Sequence, residues 1–159
     1  MGLRYKNQDL GQTFFITTSF INHNPWGNIP GVYEALAEAI KFRLNATNSK
    51  LIAYVFMPSH IHLILAIDGS IISSFMRDFK KYTAQSALVP LIESSRIWQI
   101  RYDRQVIISE RVLLTKLQYI HNNPVKAGLV ESPEKWLYSS AVDYLSDSQG
   151  LIPVWKEWY

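Results

Sequence analysis

A chain of 159 residues, 48% hydrophobic and 18% charged, excludes wholesale disorder and predicts one domain, with a core over about 13–130 and a C-terminal extension over 131–159. It has no cysteine, no apolar run near the roughly 20 residues of a membrane span, and no apolar leader in "MGLRYKNQDLGQTFF". Disulfides, thiolate metal sites, membrane insertion and a signal peptide are therefore excluded as expectations, and the expected location is the cytoplasm. A net charge of +3 permits a polyanionic partner without demanding one.

"TFFITTSFI" (Thr13–Ile21) is rich in β-branched and aromatic residues and reads as a strand. The loop "NHNPWGNIPG" follows, and from Val32 the period changes: Val32, Leu36, Ala39, Ile40 and Leu44 recur at helical spacing up to "NATNS". Leu51–Met57 is the second strand, broken at Pro58 because proline donates nothing to a ladder. "HIHLILAI" resumes as a third strand, ended by Asp68-Gly69. Ser70 to about Leu88 returns to helical spacing, with Ile72, Phe75, Met76, Phe79 and Tyr82 on one side. Ile97–Ile108 is predicted as the fourth strand from the alternation of Trp98, Ile100 and Tyr102. Ser109 is the expected N-cap of a helix through "ERVLLTKLQYIHNN" that Pro124 stops, and the remainder reads as irregular with one short helix.

The order β-α-β-β-α-β-α contains, in its first six elements, the ferredoxin-like split βαβ arrangement, an α+β fold. Its antiparallel sheet carries both helices on one face. The other face is left for a ligand or for the last, tyrosine-bearing helix.

Residues two apart on a strand point the same way, so His60 and His62 share one face while Ile61, Leu63 and Leu65 share the other. With the Ile/Leu face against the helices, the imidazoles lie together on the uncovered face. They are either polar strand residues bonded to neighbours and water, or a pair able to hold one divalent cation. On the last helix, Leu113, Leu117 and Ile120 form a buried stripe, and Tyr119 and Asn123 stand one turn apart on a neighbouring edge. Asn123 can give a metal an oxygen ligand, and Tyr119 can act as a covalent nucleophile once a positive field helps the phenol lose its proton. Packing is the alternative role for that tyrosine. His121 points away from Tyr119, and His23 has no evident partner in sequence.

"FMPSHIHLIL", "SSFMRDFKKYTAQS", "YIHNNPVKAGLV" and "KWLYSSAVDY", in that order and spacing, resemble the single-tyrosine transposases of the HUH superfamily. These are the REP-associated tyrosine transposases and their insertion-sequence relatives, and the resemblance spans roughly Thr13 to Tyr144. It implies a ferredoxin-like core that cuts and rejoins single-stranded DNA. It matches His60 and His62 to the Mg²⁺ or Mn²⁺ ligands, Tyr119 to the nucleophile that forms a 5′-phosphotyrosine, and Asn123 to the third ligand. It implies a single-stranded DNA or DNA hairpin partner, association with the nucleoid when on DNA, and either a monomer or a homodimer.

Basic and aromatic residues fit the same partner. Arg77, Lys80, Lys81 and Tyr82 lie along one helix, Arg101 and Arg104 flank the fourth strand, and Lys126 follows the Asn-Pro. Cations that track phosphates beside rings for stacking are the footprint of single-strand binding, although a solvated face has the same composition. Three other functions stay open on sequence: a non-catalytic or regulatory DNA-binding relative, a metal-dependent phosphodiesterase using water, and a plain interaction module.

Overall fold

The computed structural model describes residues 12–158. The stretch read as lacking a leader falls largely on residues 1–11, outside the described residues. The elements run β1 (Gln12–Ser19), α1 (Val32–Thr47), β2 (Lys50–Phe56), β3 (His60–Ile67), α2 (Ile72–Tyr82), β4 (Asp103–Ile107), α3 (Glu110–Lys126) and α4 (Ala141–Leu145). The four strands form one antiparallel sheet in the order β2-β3-β1-β4, the ferredoxin-like arrangement expected from the element order. Among the described residues no helix is long and apolar enough to cross a membrane.

At β2 and β3 the sheet is buried on both faces, which is why these strands read as nearly continuous apolar runs, while β4 is exposed along most of its length. Ile61, Leu63 and Leu65 of β3 and Phe14 and Ile16 of β1 pack on Leu36 and Ile40 of α1 and on Phe75, Met76 and Phe79 of α2. The alternate residues, Phe15 and Ile64 with Val55 of β2, meet Leu113, Leu117 and Ile120 of α3. Each full burial of a Leu, Ile or Phe contributes about 1.5–3 kcal/mol, so α3 is held on the sheet by packing along one stripe. The His60/His62 face is thus the α3 face.

The C-terminal segment seals the outer edge of β2. Phe56 N–H donates to the Tyr138 carbonyl (2.9 Å), Ser140 N–H to the Tyr54 carbonyl (2.9 Å) and Trp155 N–H to the Leu51 carbonyl (2.7 Å). Trp136 adds an indole N–H to the Phe56 carbonyl (2.9 Å), and the Tyr144 hydroxyl donates to the Ile52 carbonyl (2.8 Å). An unpaired edge is a template for association with other chains, and this strap removes it.

β1 ends at Ser19 and α2 at Tyr82, where a π-helical turn over Thr83–Ala87 takes over, and two further boundaries differ from the sequence reading near the site. Pro124 does not stop α3: it is buried inside a helix that continues to Lys126. The helix loses one N–H donor there, and the chain is turned out instead at Gly128 (φ 77°). Leu129 N–H returns to the Pro124 carbonyl (2.9 Å) and Gly128 N–H to the Val125 carbonyl (3.0 Å), the paired bonds of a Schellman ending.

The fourth strand is also shorter than Ile97–Ile108. Ile97 to Gln99 do pair with the end of β1, through Ile21 N–H to the Ile97 carbonyl (2.8 Å) and Gln99 N–H to the Ser19 carbonyl (2.9 Å). The chain then bows outward over Ile100–Tyr102 and rejoins the sheet at Asp103 opposite Thr17. Three residues stand where β1 has Thr18 alone. The Lys80 ammonium holds the bow by taking the Gln99 and Ile100 carbonyls (2.7 and 3.3 Å), which turns them out of the ladder. Trp98 is buried and Ile100 is 82% exposed, so their apparent alternation mixes a core anchor with a loop.

Candidate active site

His60 opens β3 and His62 follows it on the same face. Met57 N–H donates to the His60 carbonyl (2.8 Å), closing the hairpin after Pro58. Thr17 lies directly opposite His62 in the β1–β3 register, so the two side chains share a face, and Thr17 Oγ1 stands 2.8 Å from His62 Nδ1. Ser59 Oγ stands 3.0 Å from His60 Nδ1. With the proton on each Nδ1, both hydroxyls accept and both Nε2 lone pairs are left facing the site. The rings meet edge to face at 4.8 Å between centroids, and Phe15 stacks on His62 at 5.3 Å.

Ser109 caps α3, accepting from Val112 N–H at 3.2 Å, and the stripe Leu113–Leu117–Ile120 fixes the helix rotation. That rotation sets Tyr119 on the helix edge, 48% exposed, its ring 5.4 Å from His62 and 6.1 Å from Phe15. One turn later the Asn123 side-chain amide lies 3.5 Å from His62 Nε2. The structure therefore brings His60, His62, Tyr119 and Asn123 together from two distant segments.

Burial sets the charge state of the pair. His62 is lowered to about 3, first by desolvation and then by the charges of His60 and Lys116. His60 is lowered by desolvation and then by His23. Both imidazoles are neutral at neutral pH, the state in which they ligate metals. Among the described residues no group of three or more His, Asp and Glu side chains is arranged for a metal. A cation held here would take two imidazole nitrogens and the Asn123 amide oxygen, which requires the amide to present Oδ1 where Nδ2 now faces His62. That donor set leaves the remaining positions of a hard cation for phosphate oxygen or water.

Periodicity missed several residues around this cluster. Lys116, one turn before Tyr119, holds its ammonium 4.8 Å from the Phe15 ring centroid. Its spacing from Tyr119 was visible in the sequence. His23, left without a partner on sequence, acts electrostatically on His60 from a turn in which it and Asn22 both adopt left-handed φ (52° and 55°). Two successive non-glycine residues in that region are held by their surroundings. His121 stays out of the site as expected: it is buried, its Nε2 is 2.8 Å from Ser140 Oγ, and desolvation lowers it to about 4.

The expected DNA-contact residues divide between the two sides of the sheet. Arg77, Lys80, Lys81 and Tyr82 ride on α2, across the sheet from the histidines. Arg77 Nε pairs with Asp78 at 3.1 Å, and Lys80 is turned inward onto backbone carbonyls. Arg104 lies over Phe14, also on the α2 side, at 5.7 Å from the ring centroid. Arg101 instead lines a cavity with Thr17 and His23, and exposed Lys126 follows Asn123 by one turn. The structure gathers Arg101 and Lys126 on the histidine side and the other five apart from it.

The pattern of the family described as "Transposase IS200 like" matches residues 25–123, a span that contains all four clustered side chains. A putative REP-associated tyrosine transposase of Haemophilus influenzae is 31% identical over 100 residues, 56% of this chain and 57% of its own length. The REP-associated tyrosine transposase of Escherichia coli is 26% identical over 147 residues, 91% of this chain and 84% of its own. The chain thus matches little more than half the length of the first relative and most of the second. A solved REP-associated tyrosine transposase bound to a REP hairpin superposes with a TM-score of 0.75 at 27% identity, over 92% of this chain and 86% of that one. A putative transposase from Deinococcus radiodurans, at 19% identity and a TM-score of 0.53 over 69% of this chain and 88% of its own, shares the fold. With the family pattern running through the strand that bears the histidines and the helix that bears the tyrosine, the chain belongs to the IS200-like transposase family.

Proposed function

We propose that this protein cuts and rejoins single-stranded DNA beside a hairpin, with Tyr119 as the nucleophile. The observation that carries the reading is the approach of the half-exposed Tyr119 ring to within 5.4 Å of His62, on the same helix edge as Asn123. A buried phenol would suit packing; this one is open to a substrate.

His60, His62 and Asn123 would hold Mg²⁺ or Mn²⁺, which when bound withdraws charge from a scissile phosphate. Thr17 and Ser59 keep the two Nε2 atoms directed at that place. Tyr119 loses its phenolic proton and attacks phosphorus; the new O–P bond forms as the bond to the 3′ oxygen breaks, and that oxygen leaves as a 3′-hydroxyl after taking up a proton. The product is a 5′-phosphotyrosine. No water enters, so a 3′-hydroxyl from another strand can reverse the step and complete strand transfer without ATP. Lys116 supplies positive charge on the same approach.

The hairpin partner is supported by the solved relative bound to a REP hairpin. Tyr119 and His62 meet within one chain, which supports a site complete in a monomer. The test is incubation with single-stranded oligonucleotides carrying a REP-type hairpin and Mn²⁺, read on a denaturing gel. A covalent protein–DNA adduct that vanishes in Tyr119→Phe supports the proposal. Cleavage that continues in Tyr119→Phe without an adduct assigns a water nucleophile and refutes it.

A further inference from the structure

The outward bow of Ile100–Tyr102 opens a cavity of about 620 Å³ between the end of β1 and the chain entering β4. Thr17, Ser19, His23, Arg96, Gln99 and Arg101 line it, with Asp103 as its acidic member. Its volume falls within the roughly 300–1,000 Å³ of small-ligand sites.

Three observations give this cavity a purpose. It adjoins the histidine pair: Thr17 lines it and also bonds His62 Nδ1, and Ser19, which lies opposite His60 in the β1–β3 register, lines it too. It is built in advance, because Lys80 fixes the Gln99 and Ile100 carbonyls from behind while the Trp98 indole N–H donates to Thr83 Oγ1 at 2.8 Å. It is also cationic: Arg96 and Arg101 are exposed, and among the described residues neither forms a salt bridge. Bulged strands beside active sites commonly serve to re-aim side chains in this way.

We propose that this cavity seats the unpaired nucleotide adjoining the scissile phosphate and makes the cut base-selective. The inference rests on the strand-transfer reading above. Guanidinium forks match phosphate oxygens and the O6/N7 edge of guanine, and the Gln99 amide offers a donor and an acceptor to a base edge. A flat cationic surface would hold phosphates alone; a recess that Gln99 helps to line can read a base as well. The cavity sits at the end of the sheet nearest His60, so a strand passing Tyr119 and the histidines would place its next nucleotide there.

Two measurements separate this proposal from the one it rests on. Fluorescence anisotropy of short unpaired homopolymers of each base reads binding without chemistry. Sequencing of covalent adducts, recovered from a single-stranded pool randomised on both sides of a REP-type hairpin, reads base choice at the cut. In the wild type one base is favoured in both. Arg96→Ala with Arg101→Ala weakens binding of that homopolymer about tenfold and flattens the base profile at the position beside the cut. Gln99→Ala flattens the profile with less effect on affinity, and Arg101→Lys keeps affinity while losing selectivity. Equal weakening for every base with an unchanged adduct profile overturns the proposal, leaving charge attraction alone. Absence of any wild-type adduct refutes the tyrosine reading, and the homopolymer comparison still decides whether the cavity reads a base.

Discussion

Thr17 on β1 and His62 on β3 face each other across the central ladder, with 2.8 Å between the threonine hydroxyl and imidazole Nδ1. This bond holds the ring plane of the more deeply buried histidine, and with the proton on Nδ1 it leaves the Nε2 lone pair for a cation. Loss of a hydrogen bond to a ligating imidazole typically costs 10–100-fold in metal affinity. Thr17→Val, nearly the same shape without the hydroxyl, should weaken Mn²⁺ binding by about that factor. Thr17→Ser should retain most of it. Titration of free Mn²⁺ by electron paramagnetic resonance checks both, and wild-type affinity in Thr17→Val would remove Thr17 from the site.

Lys116 stands over the Phe15 ring that stacks on His62, and it precedes Tyr119 by one turn. On the proposed strand-transfer reading, an ammonium there would meet a phosphate as it approaches the phenol. Removing one fully enclosed donor to a developing anion costs ~10²–10³ in rate; Lys116 is partly exposed, so Lys116→Met should slow adduct formation by about tenfold to this range's lower end. Lys116→Arg should recover part of the rate. Lys116→Met should also lower the salt slope of DNA binding by about one, the loss of one phosphate contact. An unchanged rate and slope in Lys116→Met would leave it a packing cation.

The central features of this site were legible because strand and helix periods are rigid. The two-residue period of β3 separates His60 and His62 from Ile61, Leu63 and Leu65, and the stripe Leu113–Leu117–Ile120 leaves Tyr119 and Asn123 on an adjoining edge. What escaped lies where no period operates. His23 acts on His60 electrostatically from a left-handed turn, and the bow at Ile100–Tyr102 is held by a lysine from α2 that takes two carbonyls 19 and 20 residues away. Pro124 was read from its local cost, while burial and the bonds around Gly128 determined where the helix ended. The α2 cations show a further limit: periodicity finds a basic helix edge without showing that the sheet lies between it and the histidines.

Acid should unfold the metal-free protein in a window set by its buried imidazoles. His62 and His121 are lowered from 6.5 to about 3 and about 4, chiefly by desolvation. Above 6.5 neither state binds the extra protons, so stability is fully present. Below it the unfolded chain takes up protons that the folded chain refuses, and stability falls by ~1.4 kcal/mol per pH unit for each group until the folded value is reached. His121→Gln keeps a possible N–H donor for Ser140 and has no proton to bind. Its loss of stability between about pH 7 and pH 5 should be smaller than wild type by about 2 kcal/mol. Urea denaturation in the presence of a chelator measures the difference; equal losses would remove His121 as a source of acid sensitivity.

Ser140 joins three elements through one hydroxyl. Its Oγ accepts from Tyr54 N–H (3.0 Å), donates to the Tyr54 carbonyl (3.2 Å) and accepts from the His121 ring when Nε2 carries the proton (2.8 Å). β2, the C-terminal strap and α3 are therefore tied at a point buried from solvent. Ser140→Ala leaves the Tyr54 and His121 donors without their acceptor, and each stranded buried group costs about 1–3 kcal/mol. The expected loss is on the order of 3 kcal/mol by urea denaturation at neutral pH. Because His121 lies between Tyr119 and Asn123 on α3, the same change should loosen the helix that carries both. Adduct formation at saturating Mn²⁺ should then fall further than the folded fraction does. A variant as stable as wild type would show that packing alone holds the strap; a destabilised variant with unchanged rate per folded molecule would show that Ser140 serves the edge of β2 and not the placement of Tyr119.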